Sequence, residues 1–204
     1  MEQNTNMNQE TENTNRRVAI YLDLNNLQKA AEEYNQYGLR LNYRTLVNEI
    51  GSHCDIVKLT AYDSTESEDG CLGEIHDCLK NDGFDLQLKK PQINAPGSEK
   101  RYTQKEVDTS IVADCIIDAY HDLYDICVIV SGDRDFCPAV DAVRREFGKE
   151  VKAYAFEAAM SPCLRNSCNE YVMIEDTMSL ELVPEGDFTA VNYARDIDAT
   201  CGGE

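Results

Sequence analysis

The chain has 204 residues, 38 acidic against 19 basic side chains and a formal net charge of −19. Its length supports one domain with a sizeable core, and no shift in composition divides it into two globular units. The charge argues against a protein that coats nucleic acid non-specifically, no apolar run approaches the roughly 20 residues of a membrane span, and the polar start lacks the pattern of a signal peptide.

Residues 1–15, "MEQNTNMNQETENTN", carry too little apolar surface to offset the entropy of ordering and are expected to be a disordered tail. An apolar strand follows at 18–22, "VAIYL", ending on Asp23, with helices expected at 25–35 and 43–51. A strand at 56–62, a helix at 70–82 and a strand at 84–88 come next. Segment 89–102 contains two prolines, and its basic side chains extend through Lys105, so it is expected to be a long loop. Helix 104–123 is the clearest, with Val107, Ile111, Cys115, Ala119 and Leu123 every four residues and a capping-box spacing at Thr103 and Glu106. Strand 126–130, "ICVIV", helix 137–147, strand 151–156, helix 161–168 and strand 171–175 complete the series.

Short apolar runs alternating with helical periods predict an α/β fold with a mainly parallel sheet, because strands covered on both faces are nearly continuously apolar. The folded domain is expected over 16–178, followed by an acidic, flexible tail at 179–204.

The number of cysteines, nine, is odd, and the chain is larger than small disulfide scaffolds, so a reducing cytoplasm is the expected location. The spacings Cys71/Cys78 and Cys163/Cys168 do not match zinc knuckles, and Cys115 and Cys127 sit within apolar runs.

Two predicted strands end on acids: "VAIYL" on Asp23, and "ICVIV" on Ser131, Gly132, Asp133 and Asp135. Each group taken alone is explained as a helix start, with Asp135 capping the helix near Pro138 and Asp23 capping the one that follows it. Asp108 differs, since it continues the sheet-facing stripe of its helix, where a carboxylate is costly without a partner. Lys105 could supply that partner. Alternatively Asp23, Asp108, Asp133 and Asp135 surround a hard divalent cation such as Mg²⁺ or Mn²⁺, which takes oxygen ligands.

At these residues the chain resembles the NYN domain family, the LabA-like branch of the PIN-like nucleases. "AIYLDLNNL" matches its first motif at Asp23 and Asn26, "KEVDTSIVADCIIDAY" its second at Lys105 and Asp108, and "VIVSGDRDF" its third. "SPCLRNSCNEYVMIED" echoes its closing pattern, and the match runs over about 17–176. Leu24 and Glu106 stand where the family has glycines.

The resemblance implies a PIN-like, Rossmannoid three-layer α/β/α domain that cleaves RNA phosphodiesters with Mg²⁺ or Mn²⁺. Asp23, Asp108, Asp133 and Asp135 would be its metal-holding and catalytic residues, with Asn26 and Ser131 orienting water or phosphate oxygens. RNA is the expected partner, with Lys89, Lys90, Lys100, Arg101, Tyr102, Lys105 and Arg134 as the candidate binding residues. Tyr102 suits stacking on an unpaired base, and Arg134 suits either a phosphate or a neighbouring acid. No membrane partner is expected, and a homodimer is open to it. A regulatory RNA-binding module that retains the fold but cleaves weakly is the alternative, motivated by the net charge and by Leu24. A haloacid dehalogenase-type phosphatase is disfavoured, because its second acid is here Asn25.

Overall fold

The computed structural model describes residues 15–64, 73–89 and 104–182, the side chains of residues 104 and 105 excepted. Six strands form one sheet: β1 (Arg16–Asp23), β3 (Cys54–Ser64), β4 (Asp85–Lys89), β5 (Ile126–Val130), β6 (Glu150–Ala155) and β7 (Glu170–Met173). Their order is β4-β3-β1-β5-β6-β7, and all five pairings are parallel. Each corresponds to an expected apolar run, and β5 is buried along all of its five residues.

Alternation along the strands builds two cores. Val18, Ile20 and Leu22 of β1 join Ile126, Val128 and Val130 of β5 on one face. There they meet Leu24 and Leu27 of α1 (Leu24–Asn35), Leu46 and Ile50 of α2 (Tyr43–Ile50), and Leu79 of α3 (Glu74–Asn81). Ala19, Tyr21, Cys127 and Ile129 face the other way. They meet Val107, Ile111, Cys115 and Ala119 of α4 (Gln104–Tyr120), Val140 and Val143 of α5 (Cys137–Arg145), and Leu164 of α6 (Pro162–Ser167). Helices thus cover both faces of a parallel sheet, giving the expected three-layer α/β/α fold.

Polar groups anchor α4 as well as apolar ones. Tyr21 donates to Asp118 at 2.7 Å and Tyr62 to Asp114 at 2.6 Å, while Lys58 pairs with Asp118 at 2.6 Å. Two acids on the sheet-facing side of this helix are therefore satisfied, and its rotation about its axis is fixed.

A two-stranded antiparallel sheet, β2 (Leu39–Leu41) with β8 (Leu180–Leu182), was not anticipated. The chain is thus still paired at Leu182, past the Met178 expected as the end of the domain, and Ser179 is fully buried. The expected tail at 1–15 lies, but for Asn15, outside the described residues, as do residues 183–204, Thr103 and the capping box built on it. Among the described residues no helix is long and apolar enough to cross a membrane.

Candidate active site

Strand order reverses between β1 and β5, because the chain leaves β1 toward β3 on one side and later returns to its other side at β5. In open α/β sheets the crevice beyond the carboxyl ends of strands at such a switch point is where ligands bind. Asp23 ends β1 there, Ser131 to Asp135 follow β5, and Asp108 begins the second turn of α4.

Asp23 is 1% exposed and both of its carboxylate oxygens are used. Oδ1 accepts the Asn26 N–H at 3.1 Å, which caps α1, and Oδ2 accepts the Ser131 hydroxyl at 2.9 Å. Burial pushes the Asp23 carboxyl above its ordinary range, those two hydrogen bonds oppose the shift, and the charges of Asp133 and Asp63 add to it. The side-chain carbonyl of Asn26 accepts the Gly132 N–H at 3.1 Å, and Ser131 Oγ accepts the Asp133 N–H at 3.2 Å. Asn26 and Ser131 stitch the two strand ends together.

Gly132 owes its place to close approach. A Cβ there would lie 2.1 Å from Ala159 O and 2.8 Å from Met160 N, and Gly132 O accepts the Ser161 N–H at 2.9 Å. The loop after β5 is clamped from behind by the segment that leads into α6.

The cap at this loop differs from the expected one. Asp133, not Asp135, is the capping residue: its carboxylate accepts the Asp135 N–H at 2.9 Å and starts a 3₁₀ turn at Arg134–Phe136. That turn occupies the residues where a cap from Asp135 would have formed, so α5 opens on Cys137 with no side-chain cap. Asp135 and Arg134 are exposed, and among the described residues Arg134 has no ion-pair partner.

Asp108 Oδ1 is buried and accepts no hydrogen bond among the described residues. Its carboxyl is pushed up to about 6, first by desolvation and then by the charges of Asp23, Asp133 and Asp135, against a smaller opposing effect from Lys29. The four acids singled out in the sequence therefore share one electrostatic neighbourhood. Whether Lys105 pairs with Asp108 depends on a side chain outside the described residues. So do the RNA contacts expected of Lys90, Lys100, Arg101 and Tyr102, whereas Lys89 ends β4 beside Ser64, at the same edge of the sheet.

Leu24, in place of a glycine, is fully buried among the core residues of α1, so its side chain does not obstruct the crevice. Asp63 was not anticipated. It is the last residue but one of β3, is 8% exposed, and accepts from His76 Nε2 at 2.8 Å while the other ring nitrogen accepts the Gly73 N–H at 3.2 Å. In the sequence it was hidden in the acidic run that follows β3.

Among the described residues no three acidic, histidine or cysteine side chains are gathered closely enough to make a ready-formed metal centre. The donor set nevertheless fits a hard divalent cation: it is all oxygen, and Asp108 Oδ1 has no hydrogen-bond partner among the described residues.

A parallel three-layer α/β/α sheet with acids at its switch point fits a PIN-like class of fold. The chain belongs to the NYN domain family, whose model matches residues 17–175. That family is generally one of nucleases. The chain is also similar to a crystal structure of a protein of unknown function from Vibrio parahaemolyticus RIMD 2210633, with a TM-score of 0.66 and 25% identity over 80% of this chain and 95% of that one. No curated protein matches it significantly.

Proposed function

We propose that this protein is a divalent-metal-dependent endoribonuclease, with Asp23, Asp108, Asp133 and Asp135 as the residues that hold the metal and serve catalysis. The observation that carries this is a contrast within one helix. Asp114 and Asp118 of α4 are satisfied by Lys58 and two tyrosines, while Asp108 Oδ1 is buried with no hydrogen-bond partner among the described residues and feels the charges of three other acids, only partly offset by Lys29. A carboxylate kept there without compensation is costly unless a cation completes it in use.

Bound Mg²⁺ or Mn²⁺ would supply an activated water and charge neutralisation at a phosphodiester. The chain's own residues define where that happens. Asp23 is buried at the end of β1 and held by Asn26 and Ser131. Asp133 is fixed by its cap to the 3₁₀ turn, and Asp135 stands at the exposed rim. Burial and the neighbouring acids push the Asp108 carboxyl up to about 6, so it takes up a proton more readily than an ordinary carboxylate. Lys89 and the exposed Arg134 stand near the edge and suit phosphate contacts, with the basic segment through Lys105 extending them. The seven described cysteines are free thiols, which suits a reducing cytoplasm.

The test incubates labelled single-stranded, hairpin and tRNA-like RNAs with the protein and Mn²⁺, beside an EDTA control and Asp133→Asn. Internal cleavage by the wild type alone supports the proposal. Equal survival of every RNA with wild type and variant would leave a binding module and remove the nuclease.

A further inference from the structure

Cys137 and Cys163 form a contact that the site described above does not use. Cys137 opens α5 directly after Phe136 and is 8% exposed, whereas Cys163 lies in the first turn of α6 and is exposed. Their sulfurs are 2.7 Å apart and both are free thiols. The segments that carry them are already locked together, since Gly132 lies against Ala159 and Met160 and accepts the Ser161 N–H. Two thiols held inside van der Waals distance on fixed backbones react at high effective concentration, and bonding requires little more than side-chain adjustment.

The other close pair supplies a contrast. Cys115 and Cys127 lie 3.9 Å apart, but both are fully buried and neither is open to solvent. In the Cys137–Cys163 pair an exposed thiol stands over a sheltered one, the arrangement of a sensing cysteine with its resolving partner. In cytosolic proteins, disulfides are usually of this transient, redox-sensing kind.

We propose that Cys137 and Cys163 are a redox-modification site, at which a hydroperoxide converts the two thiols into a reversible intramolecular disulfide that clamps the Asp133–Asp135 segment to α6. Cys163 sulfur attacks the peroxide O–O bond, becomes a sulfenic acid and releases water. Cys137 sulfur then attacks the Cys163 sulfur, the S–O bond breaks, and the hydroxyl leaves as a second water with the Cys137 proton. Two thiols lose two electrons and two protons, and one hydrogen peroxide becomes two waters. A low-molecular-weight thiol reverses the bond by exchange. The proposal stands on this geometry and not on the nuclease assignment.

The test treats the dilute full-length protein with hydrogen peroxide, blocks remaining thiols and digests it with trypsin without reduction. Trypsin places Cys137 in residues 135–144, Cys163 in 153–165, and Cys168 in a separate peptide. The expected product is the linked pair 135–144 with 153–165, two hydrogens lighter than the free peptides, released by dithiothreitol and absent from Cys163→Ser. The oxidised wild type should also melt several degrees above the reduced form, a shift that Cys163→Ser lacks. Cys163 recovered only as sulfinic acid, linked to Cys168 or joined to a second chain would overturn the proposal, and so would the linked pair without a rise in melting temperature.

Discussion

The Ser131 hydroxyl donates to Asp23 Oδ2 at 2.9 Å, joining the ends of two neighbouring strands that are 108 residues apart in the chain. Because Asp23 is almost wholly buried, this bond, with that from the Asn26 N–H, is what makes an ionised carboxylate tolerable there. Ser131→Ala should lower stability at pH 7 by about 1–3 kcal/mol, the cost of removing a donor from a buried charged acceptor. The bond favours the charged form, so the loss is full above the Asp23 titration and shrinks as pH falls through it. Urea midpoints at neutral and acid pH check this, and a loss that grows in acid would count against it.

Asp108 predicts a stabilising substitution at the heart of the site. Its folded pKa, about 6, lies above the unfolded value of 3.8, so its contribution to stability is fully present below 3.8 and is lost as pH rises through about 6. Asp108→Asn removes that penalty and should raise stability at pH 7.5 by on the order of 1 kcal/mol, with no difference left below about pH 4. The measurement is chemical denaturation of both proteins across that range. A variant less stable at pH 7.5 would show that an unseen partner already neutralises Asp108.

Gly132 predicts a backbone clash. The added methyl of Gly132→Ala would meet Ala159 O at 2.1 Å and its carbonyl carbon at 2.4 Å, and neither belongs to a side chain that can swing away. The loop after β5 must part from the segment before α6, at a cost of roughly 1–3 kcal/mol. Thermal melts give the size of the loss, and an unchanged melting temperature would mean that the two segments are not held in contact.

Divalent cation should stabilise the protein through the same acids. At 100 times its dissociation constant, a ligand that binds only the folded state adds about 2.7 kcal/mol, so Mn²⁺ should raise the melting temperature at pH 7.5 and EDTA should reverse the rise. Asp133→Asn should blunt the response. An equal rise in the variant would place the bound ion elsewhere.

Much of this was legible because the decisive signals are local. The run Ile126–Val130 is continuously apolar and becomes a central strand, and the four-residue stripe of α4 becomes its buried face. The convergence of Asp23 with Asp133 followed from two strands ending on acids, given parallel neighbours. What the sequence concealed was set by tertiary pairing. β2 and β8 have three residues each, too few for a period, and exist because Leu39–Leu41 finds Leu180–Leu182 at the far end of the chain. The choice of Asp133 over Asp135 as the cap depends on a three-residue 3₁₀ turn that no spacing announces. Asp63 looked like one more acid in a charged loop, whereas the fold buries it against His76.

In the proposed nuclease, four acids from β1, α4 and the loop after β5 act as one site on RNA. The direct measurement is the Mn²⁺-dependent rate of cleavage of one labelled RNA by wild type and by Asp23→Asn, Asp108→Asn, Asp133→Asn and Asp135→Asn, each first shown to be folded. Groups that act as a unit lose nearly all activity when any member is removed, so each variant should fall by about 100-fold or more. A folded Asp108→Asn or Asp133→Asn variant that cleaves at the wild-type rate would contradict the account.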